Sequence, residues 1–167
     1  TVILALALAA CLLLCACGNS QKTLEPADLS MTVGGTSITA DSQIPALLES
    51  LGDGYEMAEA VSCVYSGMER TYAYENLILY TYPGDDGAEH LMEAYAQADA
   101  QTSRGVKIGD SLKDVETAYG SDYTRAGDVV TFEIPASNEQ MVPAGIYFEL
   151  SDDMVTAIGI TAEHRAQ

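Results

Sequence analysis

Among the side chains of this sequence able to do covalent chemistry, the thiol of Cys17 stands in the most telling context. Leu14-Cys15-Ala16-Cys17 sets one aliphatic and two small residues ahead of a cysteine, and polar Gly18-Asn19-Ser20 follows. At that spacing an exported chain is cut before the cysteine, and its sulfur takes a diacylglycerol group. The uncharged apolar run at residues 2–14 supplies an export segment, shorter than the ~20 residues that a bilayer span needs. Leu8-Ala9-Ala10-Cys11 has the same form, but three leucines would then stay on the mature chain, which favours Cys17. A plain secretory signal with incidental cysteines is the alternative. The expectation is a signal peptide over residues 1–16 and lipidation of Cys17. Acyl chains such as palmitate would then hold the protein on the extracytoplasmic side of the cell membrane.

Other reactive side chains point to no reaction. Cys63 is the only cysteine after Cys17, so no disulfide is expected inside the folded region, and its neighbours Val61, Val64 and Tyr65 suggest a small buried hydrophobe. Asp85-Asp86 with Glu89, and Asp152-Asp153, could offer oxygens to Ca²⁺, but the spaced loop of an EF-hand is absent and turn chemistry suffices. His90 and His164 are too isolated for a zinc motif, and His164 falls near a frayed end. At Gly109-Asp110-Ser111 a helix N-terminus could hold an anion, yet Asp110 can itself serve as the cap. No Gly-x-Ser-x-Gly elbow, phosphate-cradling Gly-Lys loop or Cys/His cluster occurs. No metal or cofactor is therefore expected, and the function is read as non-enzymatic.

Tyrosine and charge carry the remaining signal. The chain has 10 tyrosines and no tryptophan, with a cluster at Tyr65, Tyr72, Tyr74, Tyr80 and Tyr82. Alternation puts Tyr72 with Tyr74, and Tyr80 with Tyr82, on common faces of neighbouring strands, where aromatic pairs stabilise a sheet. If that face is open to solvent, the five rings form a candidate protein-binding surface, since tyrosine is enriched at interfaces. Acidic residues outnumber basic ones by 25 to 7, which argues against nucleic acid or anionic lipid as partner. An acidic face could instead recruit a cationic peptide, a basic protein or divalent cations.

These residues must be positioned by short elements. Residues 17–30 are polar and aperiodic, a flexible tether. Gly34-Gly35 between Met31-Thr32-Val33 and Thr36-Ser37-Ile38-Thr39 marks a two-residue hairpin. A gapless internal repeat at a spacing of 68 residues sets Ile38 on Val106, Ile44 on Leu112, Leu47 on Val115, Gly52 on Gly120 and Tyr55 on Tyr123. It also sets Ile78, Tyr80 and Tyr82 on Ile146, Phe148 and Leu150. Each copy reads as a short helix feeding an antiparallel meander. Helices are expected from Ser42 to Gly52 and from Asp110 or Ser111 to Gly120. Strands are expected at 61–65, 70–74, 77–82, 129–134, 145–150 and 154–160. Residues 88–101 have helical composition, but completing the sheet favours a strand at 91–98. The fold expected is α+β: two tandem helix-plus-meander repeats in one domain over residues 31–162, helices packed on one sheet face. Copy one covers about 31–100, copy two about 101–162, and a tail occupies 163–167.

Gly105-Val106-Lys107-Ile108-Gly109-Asp110-Ser111, followed by Val115 and Tyr119-Gly120, resembles the repeat of beta-lactamase-inhibitor-protein-like and outer-membrane-assembly-lipoprotein-like domains. Ser62-Cys63-Val64-Tyr65-Ser66-Gly67, with Tyr72, Tyr74 and Thr81-Tyr82, is similar to Gram-positive-type lipoproteins of that kind. The resemblance implies a tandem helix-and-sheet unit with a binding or assembly role. The first copy departs from the pattern, with Ala40-Asp41-Ser42 where the second has Ile108-Gly109-Asp110. The function expected is a lipid-anchored, extracytoplasmic protein-binding or scaffolding module. The alternatives are an inhibitor of an exported enzyme, and a small-solute receptor or enzyme using the groove between the copies.

Overall fold

Eight antiparallel strands in one sheet dominate the computed structural model, which describes residues 22–166. A 3-10 turn (Pro26–Asp28) leads into the hairpin β1 (Ser30–Val33) and β2 (Thr36–Thr39), closed by Gly34 and Gly35 at positive φ. Helix α1 (Ile44–Leu51) follows, then a meander of β3 (Glu56–Val61), β4 (Met68–Ala73), β5 (Leu77–Pro83) and β6 (Glu89–Ala96). After β7 (Ala100–Thr102) comes helix α2 (Leu112–Tyr119) and a second meander. That meander is β8 (Thr124–Ala126), β9 (Val129–Ile134), β11 (Ala144–Ser151) and β12 (Met154–Thr161). β10 (Met141–Val142) lies in the β9–β11 connection and pairs with β13 (His164–Arg165).

The large sheet has the order β3-β4-β5-β6-β12-β11-β9-β8. Two four-stranded meanders therefore meet edge to edge through direct pairing of β6 with β12, Ala94 opposite Ile160 and Ala96 opposite Ile158. Because side chains alternate, one face of every strand turns inward. Leu77, Leu79, Ala94, Ala96, Ile146, Phe148, Ile158 and Ile160 fill that face, and α1, α2 and the β2-β1-β7 sheet add Ile44, Leu47, Val115, Tyr119, Met31, Val33 and Ile38 to the same core.

The expected α+β arrangement is overturned. Among the described residues α-helix is confined to two eight-residue segments, and antiparallel strand predominates. Helices of two turns cannot persist alone or form a layer. Much of the inner cover is instead contributed by the small β2-β1-β7 sheet, a role the sequence reading gave to helices.

The gapless repeat also fails inside the strands. Helices α1 and α2 begin 68 residues apart, yet the buried Leu77 and Leu79 of β5 answer to Ile146 and Phe148 of β11, 69 residues away. Sliding by 68 set Ile78, Tyr80 and Tyr82 on inward-facing residues, although they point outward. A one-residue slip exchanges the two faces of a strand. Loop lengths differ as well: residues 62–67 separate β3 from β4, whereas Gly127 and Asp128 separate β8 from β9.

Several local expectations change for identifiable reasons. The strand expected at 61–65 stops at Val61, because the Ser62 hydroxyl accepts from the amides of Val64 (3.1 Å) and Tyr65 (2.9 Å) and turns the chain. Ser42 does not cap α1. Gln43 holds that position, and the Ser42 hydroxyl instead takes the Thr39 amide at 2.9 Å. Ser111, not Asp110, caps α2 in a capping box with Asp114. Residues 22–30, assigned to the tether, belong to the folded body: Leu29 is 2% exposed, and Asp28 is clamped by Arg104. His164, placed in a frayed tail, is buried in β13. The strand expected at 91–98 forms at 89–96 as β6, and residues 97–99 turn the chain into β7.

Candidate functional site

The five tyrosines picked from sequence do not share a face. Tyr72 points inward and is 4% exposed, its ring meeting Tyr55 edge-on at 5.1 Å. Its hydroxyl donates to Glu89 at 3.0 Å, and the same carboxylate takes the Thr81 hydroxyl at 2.5 Å and Arg70 Nη1 at 3.0 Å. Tyr74, beyond the end of β4, donates to the carbonyl of Gly52 at 3.1 Å. Tyr65 is buried at the sheet's end, stacked on Tyr82 at 4.5 Å and beneath the Arg165 guanidinium, and its hydroxyl accepts the Arg165 amide. Tyr82 also stacks on His90 at 5.5 Å and lies 6.2 Å from His164. Only Tyr80, 37% exposed, meets the expectation of an open tyrosine. Sequence alternation described each strand but not the β4–β5 register, which sets Tyr72 opposite inward-facing Leu79.

An aromatic and acidic surface does exist on the outer face, built around tyrosines that the sequence reading passed over. Strand register lines up one row as Thr71, Tyr80, Glu93, Thr161, Gly145 and Glu133. The next row runs Ala73, Ile78, Tyr95, Gly159, Tyr147 and Thr131. Across β12, Tyr147 on β11 donates to Glu93 on β6 at 2.5 Å, and Tyr95 on β6 donates to Glu149 on β11 at 2.9 Å. The two rings stack at 6.4 Å over Gly159. A Cβ at that glycine would come within 2.1 Å of the Tyr147 ring, so the bare backbone is what lets the ring lie across the strand. Glu93-Ala94-Tyr95 and Tyr147-Phe148-Glu149 are mirror-image motifs, the one signal by which the sequence could have shown them.

Charge on this face has one sign. Glu56, Glu69, Glu93, Glu133 and Glu149 occupy outward positions, and none of the outward positions in its eight strands is lysine or arginine. Arg70 and Arg125 belong to the opposite face by register, beside Thr81 and Val130. Neither helix nor the β2-β1-β7 sheet covers this surface, because their buried residues join the inner core.

Hydroxyl titration follows from the same contacts. Burial, reinforced by the Glu93 carboxylate, holds the Tyr147 hydroxyl far above the usual phenol range, and burial with Glu149 raises Tyr95. Burial and Glu89 push Tyr72 up to about 12. In the unfolded chain these groups ionise near 10, while in the folded protein they stay protonated. Unfolding free energy is therefore expected to hold level below about pH 10 and to fall as the pH rises from there through about 12. Denaturant titrations from pH 7 to 12 check this, and Tyr72→Phe should flatten part of the slope; an unchanged slope would show that Tyr72 does not contribute.

A cleft of about 410 Å³ opens at the sheet's end, lined in part by Gln43, Tyr82, His90, Leu91, Ile134 and Glu163. Both copies line it, Gln43, Tyr82, His90 and Leu91 from the first and Ile134, Ala144 and Ala162 from the second, although β6 and β12 join the copies elsewhere by direct pairing. Cys63, expected to be buried, is exposed in the 62–67 loop. Cys17 and the Leu14-Cys15-Ala16 stretch before it, on which the expected lipidation rests, lie outside the described residues. Among the described residues no group of three or more His, Cys, Asp or Glu could hold a metal ion, and no helix is long and apolar enough to cross a membrane. No family model, curated protein or solved structure matches the chain.

Proposed function

We propose that the chain is a lipid-anchored, extracytoplasmic, non-enzymatic module whose outer sheet face binds a basic region of a partner protein. The observation that carries this reading is the outer face itself: stacked Tyr95 and Tyr147, exposed Tyr80 and five outward glutamates without a compensating lysine or arginine. Rings give contact area at low entropic cost, and the carboxylates select cationic partners and speed their approach. Lipidation at Cys17, supported by the Leu14-Cys15-Ala16-Cys17 spacing, would keep this face near the membrane.

Crosslinking on intact cells tests both halves. A captured basic protein is expected, lost when Cys17→Ala releases the chain from the membrane. With purified components, Tyr80→Ala combined with Glu133→Lys should weaken binding about ten-fold or more, the scale of one interface hot spot. Affinity should also fall with rising salt. Capture unaffected by either variant would sink the proposal. Loss of activity in a captured exported enzyme would favour the inhibitor role instead.

A further inference from the structure

The outer face is not the only unpartnered feature of the large sheet, because its two edges differ. β8 presents three residues, while β3 presents six in unbroken register with β4, from Glu56 opposite Ala73 to Val61 opposite Met68. Every residue of β3 is exposed. Edge strands in natural proteins are usually blunted by proline, lysine, a bulge or a covering element. β3 has none of these: its sequence is Glu-Met-Ala-Glu-Ala-Val, its pairing with β4 shows no register shift, and its only blunting device is charge, at Glu56 and at inward-pointing Glu59.

Backbone direction along this edge follows from two hydrogen bonds. The Ser62 amide donates to Gly67 O, so Ser62 points its polar groups at the β4 side, and the Tyr74 amide donates to Leu77 O toward β5. In an antiparallel strand these directions alternate. Glu56, Ala58 and Ala60 therefore bond to β4, leaving the amides and carbonyls of Met57, Glu59 and Val61 directed outward. The same three residues share the sheet's inward side, where Met57 is 53% exposed, Glu59 45% in its side chain and Val61 75%. Two apolar side chains thus flank a half-exposed carboxylate, which accepts from Arg70 Nε through Oε2 at 3.3 Å, along a free ladder of hydrogen-bonding groups.

We infer that β3 accepts an extended segment of a partner protein as a ninth strand, one with the pattern apolar-x-basic-x-apolar. An antiparallel segment centred on Glu59 would place its basic residue against that carboxylate and its two apolar residues against Met57 and Val61. A second copy of the chain fits poorly. The two-fold register that sets Met57 opposite Val61 also sets Glu59 opposite its own counterpart, and like charges directly across a ladder are destabilising. A formal charge of −18 on each copy opposes the approach further. This edge is separate from the outer-face reading and stands or falls without it.

The test uses the soluble chain after Cys17 and the synthetic peptide Thr-Val-Thr-Lys-Thr-Val-Thr, followed by amide hydrogen exchange and fluorescence anisotropy. Exchange should slow at Met57, Glu59 and Val61 while Ala58 and Ala60, already bonded to β4, change little. Glu59→Lys should weaken the lysine peptide about ten-fold and favour a peptide with a central glutamate by a similar factor, since cross-strand charge pairs act in both directions. N-methylating the peptide amides that face β3 should abolish binding with the protein unaltered, which removes folding of a variant as an explanation. The inference is overturned if saturating peptide leaves those three amides exchanging as before. It is equally overturned if sedimentation shows the free chain dimerising with the same three amides protected, which would make a second copy the occupant. Tyr80→Ala should leave peptide binding unchanged, so failure here and failure of the outer-face reading give different results.

Discussion

Replacing Arg104 with alanine is expected to lower the unfolding free energy by about 2–3 kcal/mol, less than the ~3–5 kcal/mol for breaking a fully buried ion pair because both side chains keep some exposure. Arg104 lies between β7 and α2, and its guanidinium serves four groups. Nε and Nη2 bond the two Asp28 oxygens at 2.8 and 2.6 Å, Nη2 also reaches Thr23 O at 2.7 Å, and Nη1 reaches Ala118 O at 3.2 Å. The same group sits 4.9 Å from the centre of the Tyr119 ring. Alanine would strand Asp28, whose side chain is 17% exposed, and free the segment before β1 from the end of α2. Lysine should recover little, since an ammonium cannot form the paired contact with both oxygens. The acid limb provides a second readout. Hydrogen bonding to Arg104 holds Asp28 below its ordinary 3.8, so this stabilisation is complete above that pH and disappears as the pH falls through the lowered value. Urea unfolding at pH 7 and at a series of acid pH values below 3.8 should show the wild type losing this increment as Asp28 takes up its proton and Arg104→Ala having none to lose. A difference below about 0.5 kcal/mol at pH 7, the size of an ordinary surface change, would refute the clamp.

Gly159→Ala should destabilise the protein by about 1–3 kcal/mol, the cost of overpacking a filled site. Strand propensity alone predicts the opposite, since glycine is poor in strands. The steric argument wins here because the added Cβ would meet Cζ of Tyr147 at 2.1 Å and its hydroxyl at 2.5 Å. The ring must swing away, giving up its stack on Tyr95 and its bond to Glu93. Three effects should appear together: reduced stability, a Tyr147 hydroxyl that ionises at lower pH in ultraviolet difference titration, and weaker binding of the basic partner. In a Tyr147→Ala background the same alanine should cost little, because the clash is gone. A variant as stable as the wild type with unaltered tyrosine titration would show that the ring is not held over the glycine.

Local chemistry was legible where it acts over a few residues. Gly34-Gly35 marked the hairpin, Gly52 and Gly120 the helix ends, and residues 129–134 the strand β9, because turn geometry and β-propensity depend on neighbours in the chain. The need to complete a sheet pointed to a strand at 91–98 against the helical composition of that segment, and a strand lies there, shifted to 89–96. The exposed position of Cys63 was missed, because the Ser62 turn carries it out of the strand that its neighbours suggested. Tyr95 and Tyr147 were missed as partners, although each stands two residues from a glutamate in its own strand.

What the sequence determined by itself was the supply of parts: short amphipathic helices, alternating strands, a surplus of carboxylates and many tyrosines. Which tyrosines face the same way was decided only in the folded sheet. A strand exposes both of its faces equally until pairing chooses one, and that choice rests on register between residues as distant as Glu93 and Tyr147. One residue of difference between the two meanders turned Tyr80 outward where Phe148 turns in. The outer face therefore belongs to the packing of strands across the β6–β12 junction, which no pattern within either strand can state.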